Sequence, residues 1–372
     1  MAAKGQTIIQ VMEKFAPKHL AMEGDKIGLQ LGTLQKEINK VLIALDVTDA
    51  VVDEAIRLGC ELIIAHHAII YRPLSSIQTD TPAGRLYEKC IRNDIAVYIS
   101  HTNLDVAEGG VNDMMAEAIG LNGPFAALEE VHTDKLFKLV VFVPEDHHER
   151  VLNGLFSAGA GWIGNYSHCS FNIPGTGTFV PREGTNPYLG EQGKLERASE
   201  VRVETIVPDS VRKAVIQALL KAHPYEEVAY DLYPVDLKGR SFGIGRVGKL
   251  EQAESLADFT DRVKKALGVN AVRVVGSLQK PVRKIAVLGG SGSKYVRHAL
   301  FAGADVLVTG DIDYHTAHDA AAAGLAIVDP GHNVEKIMKE GVAKVLRRQL
   351  AERKIEAEVI ASAIDTEIFQ FL

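Results

Sequence analysis

Two adjacent histidines, His66 and His67, stand inside the apolar run ELIIAHHAII. Imidazoles side by side at the end of a buried strand are either a core ring beside a surface ring, or a pair of metal ligands. Further candidates occupy comparable places. IAVYIS is followed by His101 and then Asp105; ADVLVT leads to Asp311, with His315 and His318 beyond; LAIVDPG leads to His332 and Glu335. Imidazole and carboxylate donors together suit zinc, iron, manganese or nickel, and without clustered thiolates a closed structural zinc site is not indicated. A donor set of this size accommodates two metals sharing a bridging carboxylate. Neighbouring side chains on an extended strand diverge, so each ring of the pair can address a different ion. His332 and Glu335 are spaced to share one face of a starting helix.

Each signal has a plainer reading. Asp105, in TNLDVAEGGVND, is equally a turn residue or helix N-cap. His332 and Glu335 also fit a solvated helix start. His147 and His148, in EDHHER, read as a solvated helical face, and His168 and His223 as structural. Strand, glycines, serines and helix in LGGSGSKYVRHAL fit phosphate held at a helix N-terminus or a plain tight turn. That stretch is neither a P-loop nor a complete dinucleotide fingerprint. Convergence of several elements on one sheet end is what favours metal over these alternatives.

The elements that must position the donors alternate between strand and helix. KVLIALDVT, CELIIAHH and IAVYISHTNLD read as strands separated by the helices DAVVDEAIRLG, with Gly59 at its end, and TPAGRLYEKCIRND. RKIAVLGG, ADVLVTGD and LAIVDPGHN repeat this order with the helices SKYVRHALFAG and YHTAHDAAAAG. Continuous apolar strands joined by helices indicate a parallel sheet covered on both faces, whose ligands gather beyond the carboxyl ends of the strands. RLGCELIIAHH lies over FAGADVLVTGD and DIAVYIS over GLAIVDP, with a gap between, which reads as a weak internal duplication. Residues 128–236 differ: their order, βαββαβ, is the ferredoxin-like pattern. The Gly/Pro-rich stretch IPGTGTFVPREGTNPYLGEQGK links its middle strands as a long loop. The expected class is therefore α/β, with two related halves, 1–127 and 237–372, forming one metal-binding domain interrupted by a ferredoxin-like insert.

Composition narrows the function classes. A length of 372 residues favours more than one domain, and 47% apolar with 24% charged residues is the balance of a soluble globular protein. A formal net charge of −7 argues against general nucleic-acid binding. Cys60, Cys90 and Cys169 form no C-x-x-C pair or disulfide framework, which fits a reducing, cytoplasmic compartment. MAAKGQTIIQVMEKFAPKHL reads as an amphipathic helix rather than a signal peptide, and no apolar run is long enough to span a bilayer.

Taken together, AHHAIIYRPLSSI, SHTNLDVAEGGVNDMMAEAIG, TGDIDYHTAHDA, DPGHNVEK and the opening DKIGLQLG resemble the Nif-three-like dinuclear-metal-centre family, the GTP cyclohydrolase 1 type 2 homologues. The resemblance implies two divalent ions carried by His66, His67, Asp105, His332 and Glu335, with Glu335 or Asp105 as bridge. The three-residue spacing of His332 and Glu335 differs from the four seen in some relatives. It also implies a ring-shaped homohexamer and, from HPYEEVAYDLYP, an insert similar to PII and CutA-type domains. The expected activity is metal-dependent hydrolysis of a nucleotide or phosphoester, with ions that lower the pKa of a bridging water. His101 is the candidate general acid or base, or else a residue fixing Asp105; Asp311 or His315 would orient a ligand. The competing expectation is a non-enzymatic ring that senses a small ligand through its insert.

Overall fold

Branched aliphatic runs too short for helices become strands when both faces can be covered, and the metal-donor segments follow this rule. Lys40–Ala44, Leu62–Ala65 and Ala96–Ile99 lie side by side in parallel, Val41 opposite Leu62 and Leu62 opposite Ala96. All but the first residue of this set are buried. The helix Asp49–Leu58 between the first two begins where the Thr48 hydroxyl accepts from the Val51 N–H. It ends at Gly59, whose φ of 69° is the left-handed conformation that glycine adopts most cheaply. The computed structural model describes residues 3–370; Met1 and Ala2, the first letters of the expected N-terminal helix, lie outside the described residues, and that helix runs Gly5–Phe15.

Two mixed sheets organise the larger of two compact units, formed by residues up to Val131 together with those from Phe242 onward. The first sheet has the order Glu358–Ala361, Lys40–Ala44, Leu62–Ala65, Ala96–Ile99, Gly28–Leu31. In the second, Pro281–Ser291, Val306–Gly310 and Ala326–Asp329 run parallel. Antiparallel strands flank them, Arg273–Val275 beside Ala326–Asp329 and Ser241–Ser255 beside Pro281–Ser291, with Asn122–Thr133 outermost. The parallel centres match the expectation; the antiparallel edges do not. Nor are the sheets segregated by sequence half. Glu358–Ala361, from the chain's end, pairs in parallel with Lys40–Ala44, while Asn122–Thr133 joins the second sheet.

One continuous core ties the sheets together. Val41, Ile43 and Ile64 of the first and Val287, Val308 and Val328 of the second belong to it. So do Ile8, Met115, Phe259 and Leu346, from the helices Gly5–Phe15, Val111–Ala118, Leu256–Leu267 and Ile337–Glu352. Burying a side chain of this kind contributes roughly 1.5–3 kcal/mol, so the donors at the strand ends rest on a rigid base. Among the described residues no helix is long and apolar enough to cross a membrane.

The second unit, His132–Ser241, has the element order strand Leu136–Pro144, helix His148–Ser157, strands Ser170–Phe179 and Glu196–Pro208, helix Arg212–Ala222, strand Tyr230–Val235. Its antiparallel sheet has the order Tyr230–Val235, Leu136–Pro144, Glu196–Pro208, Ser170–Phe179. Leu139, Val141, Val143, Val201 and Val203 face the helix residues Val151, Leu155, Val215 and Leu219. The sequence reading ends the third element at Ile173 and starts a loop there. Instead the strand continues through Pro174 and Gly177 to Phe179, because it lies at the sheet edge, where a proline removes no needed donor.

Candidate metal centre

The donor-bearing strand ends converge as the parallel sheets require. His66 is fully buried directly after Leu62–Ala65, and Asp105 lies on the short helix Thr102–Val106 after Ala96–Ile99. Glu335, also buried, sits on the 3-10 turn His332–Lys336. His66 Nε2 stands 3.6 Å from Asp105 Oδ1 and 3.7 Å from Glu335 Oε1. The other Glu335 oxygen, Oε2, is 3.1 Å from His67 Nε2 and 3.2 Å from His332 Nε2. His66, Asp105 and Glu335 form one compact donor group; His67, His332 and Glu335 form a second; His66, His67 and His101 form a third.

Each histidine is anchored by its outer nitrogen. His66 Nδ1 donates to the Ser100 carbonyl at 3.0 Å, and a carbonyl only accepts, so the tautomer leaves a lone pair on Nε2. His67 Nδ1 is held by Asp46 at 2.7 Å, His101 Nδ1 by Asp25 at 2.8 Å, and His332 Nδ1 by Asp311 at 2.7 Å. Further bonds hold the anchors: Asp46 accepts from the Thr366 hydroxyl, and Asp25 from the N–H and hydroxyl of Thr102. An acceptor on the outer nitrogen fixes ring orientation and raises the basicity of the inner one.

Imidazoles and carboxylates perturb one another strongly here. Burial would lower the pKa of His67, yet its bonds to Asp46 and Glu335 raise it to about 10. The bond to Glu335 likewise raises His332 to about 9 against its burial. His66 is raised by Asp105 and Glu335 although burial opposes this. Burial pushes the Asp105 carboxyl up, while the surrounding histidines hold Glu335 well below the usual carboxylate range despite its burial. His66 Nε2 and Asp105 Oδ1 are buried without a hydrogen-bond partner. Orphaned buried acceptors that converge on one point, with nitrogen and oxygen donors alone, fit a divalent transition metal.

Glycines make room for this arrangement. Gly290 has φ 64°, and a Cβ there would lie 2.7 Å from Glu335 Oε1. The stretch LGGSGS thus continues the strand Pro281–Ser291 and lets Glu335 approach. A 3-10 turn, Ser293–Tyr295, and the short helix Val296–Phe301 follow it.

Some candidates take other places. Asp311, at φ 56°, turns back onto His332, and its carboxylate is engaged there. His101 is tied to Asp25 rather than Asp105. His315 and His318 are exposed against Tyr314, outside the donor groups. His147 bonds Asp146 and His148 bonds Asn172; His223 donates to the Phe142 carbonyl; His168 packs on Phe156. Sequence reasoning missed Asp46, Asp25 and Asn112. The strand-end rule reaches Asp46, which follows Lys40–Ala44 closely, and Asp25 opens the quoted DKIGLQLG.

Known proteins share this whole chain. A "GTP cyclohydrolase 1 type 2 homolog" of Halalkalibacterium halodurans is 56% identical over 370 residues, covering 100% of this chain and 99% of the relative. One of the same name from Bacillus subtilis is 53% identical over 371 residues, again covering 100% and 99%. The crystal structure of a Bacillus cereus protein related to NIF3 superposes with a TM-score of 0.93 at 54% identity, each chain covered completely. The family model described as Duf34/NIF3 (NGG1p interacting factor 3) matches residues 3–368, and the chain belongs to that family.

Proposed function

We propose that the protein is a dinuclear-metal hydrolase acting on a nucleotide or phosphoester. The observation that carries this reading is Glu335, whose two oxygens face separate donors, Oε1 toward His66 and Oε2 toward His67 and His332. A carboxylate so placed suits a bridge, with His66 and Asp105 on one ion and His67 and His332 on the other. Divalent ions held there would supply the positive charge that lowers the pKa of water and polarises a phosphoryl or carbonyl oxygen. The chain's own part is to hold the rings. The Ser100 carbonyl, Asp46 and Asp311 fix three of them, and buried Asp105 and Glu335 keep negative charge where cations bind. His101, 5.0 Å from His66 between ring centroids and anchored on Asp25, would take or give a proton at Nε2. Asp311 acts in this reading by orienting His332. The relatives' names direct attention to GTP.

Protein stripped with chelator and reloaded with one defined divalent metal should hydrolyse GTP or an aryl phosphate. Failure of every metal-loaded form to turn over either would overturn the hydrolase reading and favour a non-enzymatic, ligand-sensing protein.

The same proposal extends to organisation. The strand order of the His132–Ser241 unit supports a ferredoxin-like insert, and the repeated strand–helix order on either side of it is what supports two related α/β halves. The homohexamer remains part of the proposal; exposed Phe301, at 90%, and Tyr314, at 73%, on the larger unit are apolar side chains that an assembly of any order would cover. Three free thiols support a reducing, cytoplasmic setting.

A further inference from the structure

The His132–Ser241 unit contains a cavity of about 400 Å³, within the range of small-molecule sites. It lies on the sheet face opposite the helices: Val141, Val143, Val201 and Val203 face the helices, so the alternating Phe142 and Glu200 face away. Aromatic walls come from Phe142, Phe179, Tyr188 and Tyr225. Phe179 stands at 63° and Tyr188 at 45° to Tyr225, with centroids 5.7 Å and 6.2 Å away, so the rings meet as angled walls rather than a stack.

The long Gly/Pro-rich loop supplies one side and the HPYEEV segment the other. The Asn186 N–H donates to Glu226 Oε1 at 3.2 Å, and the Gly193 N–H closes the loop on the Pro181 carbonyl at 2.8 Å. The charged lining is acidic throughout: Glu200, Glu226 and Glu227. Glu200 is 8% exposed. Among the described residues its polar partner is the Tyr225 hydroxyl, which donates at 2.8 Å, and no cationic side chain pairs with it. The arginine along the same strand, Arg202, is directed to Glu204 and lies over the Phe142 ring. Gly177 leaves space for the carboxylate: a Cβ there would fall 2.0 Å from Glu200 Oε2.

We propose that this cavity binds a small organic cation of the alkylated-ammonium class. A buried carboxylate without a positive partner is costly and is relieved by a cationic guest. Aromatic faces carry negative charge density and attract such a cation, while its alkyl groups cover apolar wall. An anionic ligand would face three carboxylates. This inference is independent of the metal centre, so either can fail alone.

The test is calorimetric titration of the full-length protein with choline, its neutral isostere 3,3-dimethylbutan-1-ol, and ATP, each to roughly 10 mM. Choline should bind, the isostere at least about tenfold more weakly, and ATP should give no binding that Tyr188→Ala removes. Glu200→Gln keeps an acceptor for Tyr225 and should weaken choline about tenfold or more without lowering the melting temperature. Should that variant fold poorly, Tyr188→Ala, on the exposed wall, should weaken choline likewise. Absence of choline binding, equal binding of the isostere, ATP binding lost in Tyr188→Ala, or unchanged choline affinity in the folded variants would each overturn the proposal.

Discussion

The Gly289 N–H donates to Asn112 Oδ1 at 2.9 Å, while Asn112 Nδ2 donates to the Asp105 carbonyl at 3.0 Å. One fully buried amide thereby joins the segment carrying Asp105 to the glycine strand beside Glu335. Asn112→Ala would leave both backbone groups unsatisfied. The expected cost is about 2–4 kcal/mol, read as a lowered melting temperature, together with weaker metal uptake. An unchanged melt would show that water replaces the amide without loss.

If Glu335 bridges, its removal and that of a single histidine should differ in kind. His66→Ala and His67→Ala should each lose about one ion per chain, and Glu335→Ala about two. Asp105→Ala should resemble His66→Ala, whose donor group it shares. Elemental analysis of reconstituted, folded protein decides. Full occupancy in both histidine variants would remove the dinuclear reading.

Gly290→Ala tests the same carboxylate from the other side. The added methyl demands both a left-handed backbone and the space of Glu335 Oε1. Metal content should fall as in Glu335→Ala, although no donor has been altered. Retention of both ions would mean that Glu335 has room to move and still ligate.

Asp311 separates positioning from proton transfer. Asp311→Ala frees His332 Nδ1 from its acceptor, and metal affinity should fall about 10- to 100-fold. A competition titration against a chromophoric chelator measures this. Unaltered affinity with lost turnover would instead assign the carboxylate to the reaction itself.

Thiol chemistry offers a check away from the centre. Burial pushes both Cys60 and Cys90 up to about 11, whereas Cys169 lies half-buried near the surface. Thiolate is the reacting form, so near pH 8 iodoacetamide should modify Cys169 first in native protein. Raising the pH toward 11 would ionise the buried thiols, yet they should still react slowly because they remain covered. Peptide mapping by mass spectrometry reads the order. Early labelling of Cys60 or Cys90 would contradict the packing around the strand Leu62–Ala65 and the helix Pro82–Arg92.

The parallel strand centres and the residues beyond their carboxyl ends were legible because both are local: apolar runs, then polar donors. What holds those donors was not. The Asp46–His67 and Asp25–His101 bonds join residues on different elements, and neither spacing nor periodicity records them. His315 and His318 obeyed the same strand-end rule as His332, yet Asp313 caps their helix through the Thr316 N–H and turns them outward. Composition does not reveal which strand lies outermost, so in sequence the edge strand through Pro174 looks like loop.

The return of Glu358–Ala361 to the side of Lys40–Ala44 has a consequence for biosynthesis. During translation, His66 and His67 leave the ribosome long before the strand that completes their sheet and before Glu335. The nascent N-terminal segment therefore holds rings without the carboxylate that gathers them. The two donor groups that share Glu335 are complete only once the C-terminal segment has been made, whereas His66, His67 and His101 are together before it. The His132–Ser241 unit, being continuous in sequence, can fold while the remainder is still being made.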